Sequence, residues 1–416
     1  MMKKNAIIFI LILILSILSV ACSGVIDRLD LPEPSDIQPT ETLVNKPSDT
    51  PIPPSALPSD EPTPTPTPST APVPETFTLL AAGDVMAHSD NLRAAYDSES
   101  GLYDFSENYI HVSPLISNAD FSLVNLETVT AGPESGYTSY PLFNTPAAIV
   151  DALSEAGFTA LVTANNHTLD RGKEGIYKTL QEIDRTGLLH TGTYTDEGLN
   201  YLEYDFRGYN ISILAYTQHL NGNEPLLDES DKYMVNVMNL EKISDDIRTA
   251  AEDSSLVVVY LHWGNEYTRS EEDWQRSYAV SLFEAGADVI LGTHPHVIRP
   301  AETMIVDGEI KYVIYSMGNF ISNFIRTDRR ENAIYTEDGV MVQLTFDIDE
   351  SGNFSLSNAR HIPTWPYKYE DNKGLHYEII PIVNPDERLH ENDYADSEAR
   401  KSYERTMETL GSFSIR

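Results

Sequence analysis

Five short apolar runs in this chain each stop at residues that bind metals or carry protons, and no other feature constrains the fold as tightly. Phe77-Thr78-Leu79-Leu80-Ala81-Ala82 leads into Gly83-Asp84-Val85-Met86, and Phe121-Ser122-Leu123-Val124 leads into Asn125-Leu126-Glu127. Ala160-Leu161-Val162 is followed by Asn165-Asn166-His167, with Asp170 close behind. Leu256-Val257-Val258-Val259-Tyr260 precedes His262-Trp263-Gly264-Asn265-Glu266, and Val289-Ile290-Leu291 precedes Gly292-Thr293-His294-Pro295-His296. Apolar runs this short, with branched residues, read as buried strands. Helical stretches lie between them: Ala147 to Ala156, opened by Thr145-Pro146 and closed by Gly157; Gly175 to Thr186, closed by Gly187; and Glu272 to Ala285, closed by Gly286. Strands alternating with helices indicate an α/β domain. Open α/β sheets bind ligands beyond the carboxyl ends of their strands, so adjacent strands would gather carboxylates, an amide and imidazoles in one place.

Later segments follow a different pattern. Tyr201 to Tyr216 reads as a hairpin around Arg207-Gly208, and Met304 to Ser316 turns at Asp307-Gly308. Gly339 to Asp349 and Asn353 to Tyr367 read as further strands joined through Ser351-Gly352, so antiparallel pairing is expected. No linker interrupts residues 76–385, which are read as one domain. Residues 386–416 are polar, and either a terminal helix or a partly disordered tail fits them.

The N-terminus is an address. Lys3 and Lys4 precede an apolar run from Ala6 to Val20, and Ser19-Val20-Ala21-Cys22 follows the pattern of a cleavage site after a small residue. The run is short for a spanning helix, which needs ~20 residues. It resembles a bacterial lipobox, which implies a signal peptide over residues 1–21, lipid on the Cys22 thiol, and a globular part held at the extracytoplasmic face of the cell membrane. Residues 22–75 hold more than half of the prolines, including the Thr-Pro repeat at Pro62 to Pro68, and read as an extended stalk. Cys22 is the single cysteine, so no intrachain disulfide can staple the fold. A formal net charge of −36 excludes nucleic acid as a partner and repels any polyanion that no cation receives.

Each ligand-bearing piece alone has an ordinary explanation. Asp84 could cap a helix, Glu127 could sit solvated in a loop, and His262 could be a satisfied core histidine. The His294-Pro295-His296 triplet is more specific. Pro295 favours extended geometry before it, which would point both rings to one side. The co-occurrence of all five pieces after strands is what caps and turns do not explain.

In that order, and followed by Ser316-Met317-Gly318-Asn319-Phe320, the motifs resemble the CapA family, linked to synthesis or export of poly-γ-glutamate capsule. The resemblance covers about Phe77 to Tyr367 and implies the fold of calcineurin-like metallophosphatases, a two-sheet sandwich covered by helices. It implies Asp84, Glu127, Asn166, His262, His294 and His296 as metal ligands, and His167 as the general acid. Met86 stands where such phosphatases usually place a histidine, with His88 two positions on, which leaves one ion or two open. A carboxylate, amide and imidazole set without thiolate suits Mn²⁺, Fe or Zn²⁺. Asp170, Glu266 and Asn319 are candidate partners that orient these ligands. Arg299 and Arg326, with Arg329 and Arg330, are either a solvated basic loop or a landing place for an acidic polymer. Two functions remain: a metal-dependent hydrolase in capsule biosynthesis or processing, or a non-catalytic component that binds the acidic polymer or its membrane synthetase.

Overall fold

The computed structural model describes residues 76–198, 200–324 and 332–411. The signal sequence, Cys22, the stalk and Arg326, Arg329 and Arg330 lie outside the described residues.

Thr76–Val85 forms β1, and its side chains alternate as the strand period of two requires. Phe77, Leu79 and Ala81 enter one core cluster, and Leu80 and Ala82 enter another. The chain then passes through α1 (Ser89–Ala95) and α2 (Ser113–Ile116) into β2 (Phe121–Leu126). Next come α3 (Ala148–Glu155), β3 (Ala160–Val162), α4 (Gly172–Thr186) and β4 (Leu189–Thr191). Strands β1 to β4 pair in parallel, so their carboxyl ends share one edge. The start of α4 falls earlier than the apolar pattern suggests.

The expected hairpin is β5 (Leu202–Phe206) and β6 (Tyr209–Thr217). Its turn residues Arg207 and Gly208 have φ of 55° and 95°. After α5 (Leu240–Asp253) come β7 (Leu256–His262), α6 (Asp273–Ala285) and β8 (Val289–Thr293). A second hairpin follows, β9 (Ala301–Val306) and β10 (Glu309–Ile314). Then come β11 (Asn319–Ile321), β12 (Gly339–Ile348), β13 (Phe354–Glu370) and β14 (Leu375–Pro381). The first sheet has the order β14-β13-β12-β1-β2-β3-β4 with β11 beside β1, and the second has the order β5-β6-β7-β8-β10-β9.

Three clusters turn these sheets into an α/β/β/α sandwich. Between the sheets, Leu79, Leu123 and Val342 of the first meet Ile213, Val258 and Leu291 of the second. Tyr260 is buried there and donates to the Ala82 carbonyl at 3.0 Å, tying β7 to β1 across the layers. On the outer face of the first sheet, Leu80, Val124 and Leu161 pack with Leu153 of α3 and Ile176 and Leu180 of α4. On the outer face of the second, Val257 and Val259 pack with Ile247 of α5 and Leu282 of α6. The α/β/β/α arrangement that the resemblance implied is therefore what the chain forms.

The polar C-terminal stretch contains a terminal helix, α7 (Asp393–Leu410), capped by the Asn392 side chain, which accepts from the Tyr394 and Ala395 amides. Ala395 and Ala399 pack on Trp365 and Tyr367 of β13 and on Ile380 of β14. Arg405 donates to both oxygens of the buried Asp338. No helix among the described residues is long and apolar enough to cross a membrane.

Candidate metal centre

The carboxyl ends of β1, β2, β3, β7 and β8 meet on one edge of the sandwich. Asp84 is in the last turn of β1, where the first sheet opens to admit β11. Its backbone amide donates to the Gly318 carbonyl at 3.1 Å. Gly83 makes that approach possible, because a Cβ there would lie 1.9 Å from the same oxygen. Asn125 of β2 donates to Asp84 Oδ1 at 2.7 Å, and its own Oδ1 accepts from Asn165 Nδ2 at 3.1 Å. Glu127 follows directly, its amide held by the Val85 carbonyl at 3.0 Å.

His262 ends β7. Its Nε2 lies 3.0 Å from Asn166 Oδ1, 3.0 Å from His294 Nδ1 and 3.6 Å from Glu127 Oε1. Thr293 Oγ1 is 3.1 Å from the other ring nitrogen and fixes the ring. His296 places Nε2 3.9 Å from Glu127 Oε1, while its Nδ1 stands 3.0 Å from Asn319 Oδ1 and 3.5 Å from Asp84 Oδ2. All of these side chains are buried. Two overlapping donor groups result, Asp84–Glu127–His262 and Glu127–His294–His296, with ligand atoms within 4.8 Å of one another.

The histidine triplet is not extended. His294 and His296 have φ of 95° and 57°, a region in which side chains larger than glycine are strained by roughly 1–3 kcal/mol each. The expectation from Pro295 fails because tertiary contacts set φ at His294. Its amide turns inward to donate to Asp84 Oδ2 at 3.3 Å, and the Pro295 carbonyl accepts from Tyr267 N at 2.8 Å. Both rings nevertheless reach the centre.

The electrostatics fit a cation. Burial, and then the charges of Asp84, Glu266 and Asp170, push the Glu127 carboxyl well above its ordinary range. Burial, and then the neighbouring imidazoles, hold His262 and His294 well below theirs, so both rings are neutral and offer lone pairs. Both Glu127 oxygens are buried without a hydrogen-bond partner among the described residues. A carboxylate so placed is costly unless a positive ion receives it, and the surrounding oxygen and imidazole donors could hold one.

His167 lies beside this group. Its Nδ1 is 2.8 Å from Asp170 Oδ2, which also accepts from the Phe143 amide at 2.7 Å. The ring packs edge-on against Phe143 at 4.7 Å between centroids. It lines a cavity of about 470 Å³ together with Tyr140, Glu266, Tyr267, His296 and Phe324.

Other expected residues fall elsewhere. Glu266 is exposed at the cavity wall rather than hydrogen-bonded to an imidazole. Met86 and His88 line the same cavity, with His88 Nδ1 accepting from the Asn323 amide at 3.3 Å. Arg299 is not a landing place for polymer. It is fully buried, donates to the Thr268 and Asn265 carbonyls at 2.8 Å each and to the Gln275 side chain, and so fastens the loop before α6.

Two residues near the centre were missed. Asn125 belongs to the Asn125-Leu126-Glu127 motif, and an amide directly after an apolar run is the signal that marks it. His219 lies just past β6, a strand end whose run reads in the sequence only as half of a hairpin. Its ring meets that of His294 at 5.1 Å, and burial lowers its pKa. A third donor group, His111–Glu378–His390, lies apart from the centre.

An α/β/β/α sandwich with a buried carboxylate–imidazole cluster on its parallel-strand edge is the class of protein that fold and site define. The chain belongs to the family described as bacterial capsule synthesis protein PGA_cap, whose family model matches residues 78–324. It is 28% identical over 272 residues to the capsule biosynthesis protein CapA of Bacillus anthracis, covering 62% of this chain and 63% of that protein. It is 30% identical over 218 residues to the PGA biosynthesis protein CapA of Bacillus subtilis, covering 50% of this chain and 52% of the relative. The match thus spans between half and two thirds of those relatives. Among solved structures, a Staphylococcus aureus protein assigned as a 5′-nucleotidase superposes with a TM-score of 0.43 and 14% identity, over 79% of this chain and 58% of that one.

Proposed function

We propose that this protein is a metal-dependent, hydrolase-type member of the capsule and poly-γ-glutamate biosynthesis family, lipid-anchored through Cys22 at the extracytoplasmic face of the membrane. The observation that carries the reading is Glu127, a fully buried carboxylate with no hydrogen-bond partner among the described residues, facing Asp84 and three imidazoles. Asp84, Glu127, Asn166, His262, His294 and His296 would hold one or two ions of Mn²⁺, Fe or Zn²⁺. A bound divalent ion there supplies Lewis acidity and neutralises the carboxylates. The chain's own groups do the rest. Asp170 accepts from His167 Nδ1, which leaves Nε2 as the atom that exchanges a proton with a leaving group in the adjoining cavity. The aromatic walls of that cavity exclude water from the substrate's flanks.

One observation supports the alternative of a non-catalytic component that binds polymer or a membrane synthetase. Met86 puts a buried thioether in the cavity wall where a ligand histidine is expected from the resemblance. Metal analysis of the purified protein after loading with Mn²⁺, Fe²⁺ or Zn²⁺, followed by assay on phosphoester and γ-glutamyl substrates, separates the two. Binding of metal with turnover supports the hydrolase. Failure to bind any of these ions sinks it and leaves the polymer-binding component.

A further inference from the structure

Arg171 occupies a position that the candidate centre does not explain. It immediately follows Asp170, the residue that orients His167, and it lines a second cavity of about 600 Å³ with Leu92, Tyr137, Thr138, Tyr140 and Leu142. Tyr140 belongs to both cavities, and its ring meets that of His167 at 6.4 Å between centroids. Tyr140 thus borders both the second cavity and the one that His167 lines.

Its chemistry is unlike that of the rest of the protein. On a chain of net charge −36, none of the residues lining it carries a carboxylate, and Arg171 is the one cation among them. The guanidinium is steered from one end only. Nη2 donates to the Thr138 hydroxyl and to the Leu142 carbonyl, the latter at 3.1 Å. Nε is buried without a hydrogen-bond partner, and Nη1 makes no hydrogen bond among the described residues. A half-buried guanidinium anchored by one nitrogen, with its remaining donors unmatched, suits an acceptor that accompanies the ligand. A carboxylate fits that fork best, because it can take two parallel N–H donors. The seryl and threonyl hydroxyls and the tyrosine rings around it suit an amide-linked chain.

We infer that Arg171 forms a carboxylate-binding subsite for an acidic polyamide chain, which runs past Tyr140 and presents a neighbouring linkage to His167 and the metal centre. This rests on the functional reading above for its choice of ligand, but it is tested by binding alone. It also explains how an acidic protein receives an acidic polymer: the groove is a local exception to the repulsive field.

The test titrates the full-length protein, in detergent, with a short oligo-γ-glutamate and with the same oligomer after methyl esterification. Arg171→Ala should weaken binding of the acidic oligomer by about tenfold or more, the scale of one lost charge-assisted contact. The esterified oligomer should bind both proteins alike, and added salt should shrink the difference. Metal content and melting temperature report whether the variant is folded. Arg171→Lys keeps the charge and loses the fork, and covers the case in which the alanine variant does not fold. It should bind severalfold more weakly than wild type. Equal binding of the acidic oligomer by wild type and a folded Arg171 variant overturns the subsite, as does wild type that binds no oligomer. If the protein takes up no metal yet loses oligomer binding with Arg171, the hydrolase reading fails and the subsite stands. If turnover is intact and binding is unmoved, the reverse holds.

Discussion

Two buried glutamates sit among histidines in this molecule, and they are driven in opposite directions. Burial would raise the pKa of both. At Glu378 the hydrogen bonds from Tyr369 (2.7 Å) and His111 (2.8 Å), with His390 at 3.4 Å, outweigh burial and hold the carboxyl below its ordinary range. At Glu127 no described residue donates, Asp84 adds a second negative charge, and burial first of all pushes the carboxyl well up. By ligand type alone the two clusters are alike, and each could hold a metal. Hydrogen-bond satisfaction separates them. The Glu378 group is complete as it stands, and His390 Nδ1 is already committed to the Asn392 amide at 3.0 Å. The Glu127 group leaves both carboxylate oxygens unmatched among the described residues, which is what a bound cation would relieve.

The largest expected effect breaks the comparison at the metal itself. His294→Ala and His296→Ala should each lower bound metal and any turnover, while His111→Ala and Glu378→Gln leave metal content at the wild-type level. Metal in excess should raise wild-type stability by about 3–4 kcal/mol at 100 to 1,000 times its Kd, read from denaturant midpoints. A Glu378→Gln variant that lost metal would erase the distinction. Next in size, His167→Ala should keep the metal and slow turnover by ~10²–10⁴-fold, because only proton transfer is removed. Loss of metal in that variant would move His167 from proton donor to ligand. Smaller again, Glu378→Gln should destabilise the fold by about 1–3 kcal/mol by unmatching the donors around it.

The smallest effect is in pH. In metal-stripped protein, Glu127 has a folded pKa above its unfolded value. Its contribution is therefore full below the usual glutamate value of ~4.3 and is lost as pH rises through the folded pKa. Glu378 is the reverse, contributing above that value and losing its contribution as pH falls through its depressed pKa. Urea midpoints across pH should lose the alkaline slope in Glu127→Gln and the acid slope in Glu378→Gln. Identical profiles for the two variants would contradict the contrast.

The sequence made the strand ends legible because an apolar run that stops at a ligand type carries its own register. Asp84, Asn166 and His262 needed no tertiary information to be placed at the ends of β1, β3 and β7. Helices α3 and α6 were legible from their closing glycines. What escaped was decided by distant residues. Arg299 read as a surface charge because its acceptors, Asn265, Thr268 and Gln275, reach it only after the loop folds back. His294 reads as extended because Pro295 is local, whereas the hydrogen bond that the His294 amide donates to Asp84 spans 210 residues. The ambiguity of the C-terminal stretch ended with the apolar faces of β13 and β14 that α7 covers.

The division of the candidate ligands between the two sheets also sets an order of assembly. Asp84, Glu127 and Asn166 come from the first sheet's parallel half, which is complete by β4, and His262, His294 and His296 come only after β7 and β8. A chain emerging from its N-terminus thus holds two carboxylates, an amide and the neighbouring His167, but none of the three imidazoles that face Glu127, until most of the domain exists. On the proposed reading, an ion would be captured last, in whichever compartment the chain finishes folding, and the supply of metal there would select it.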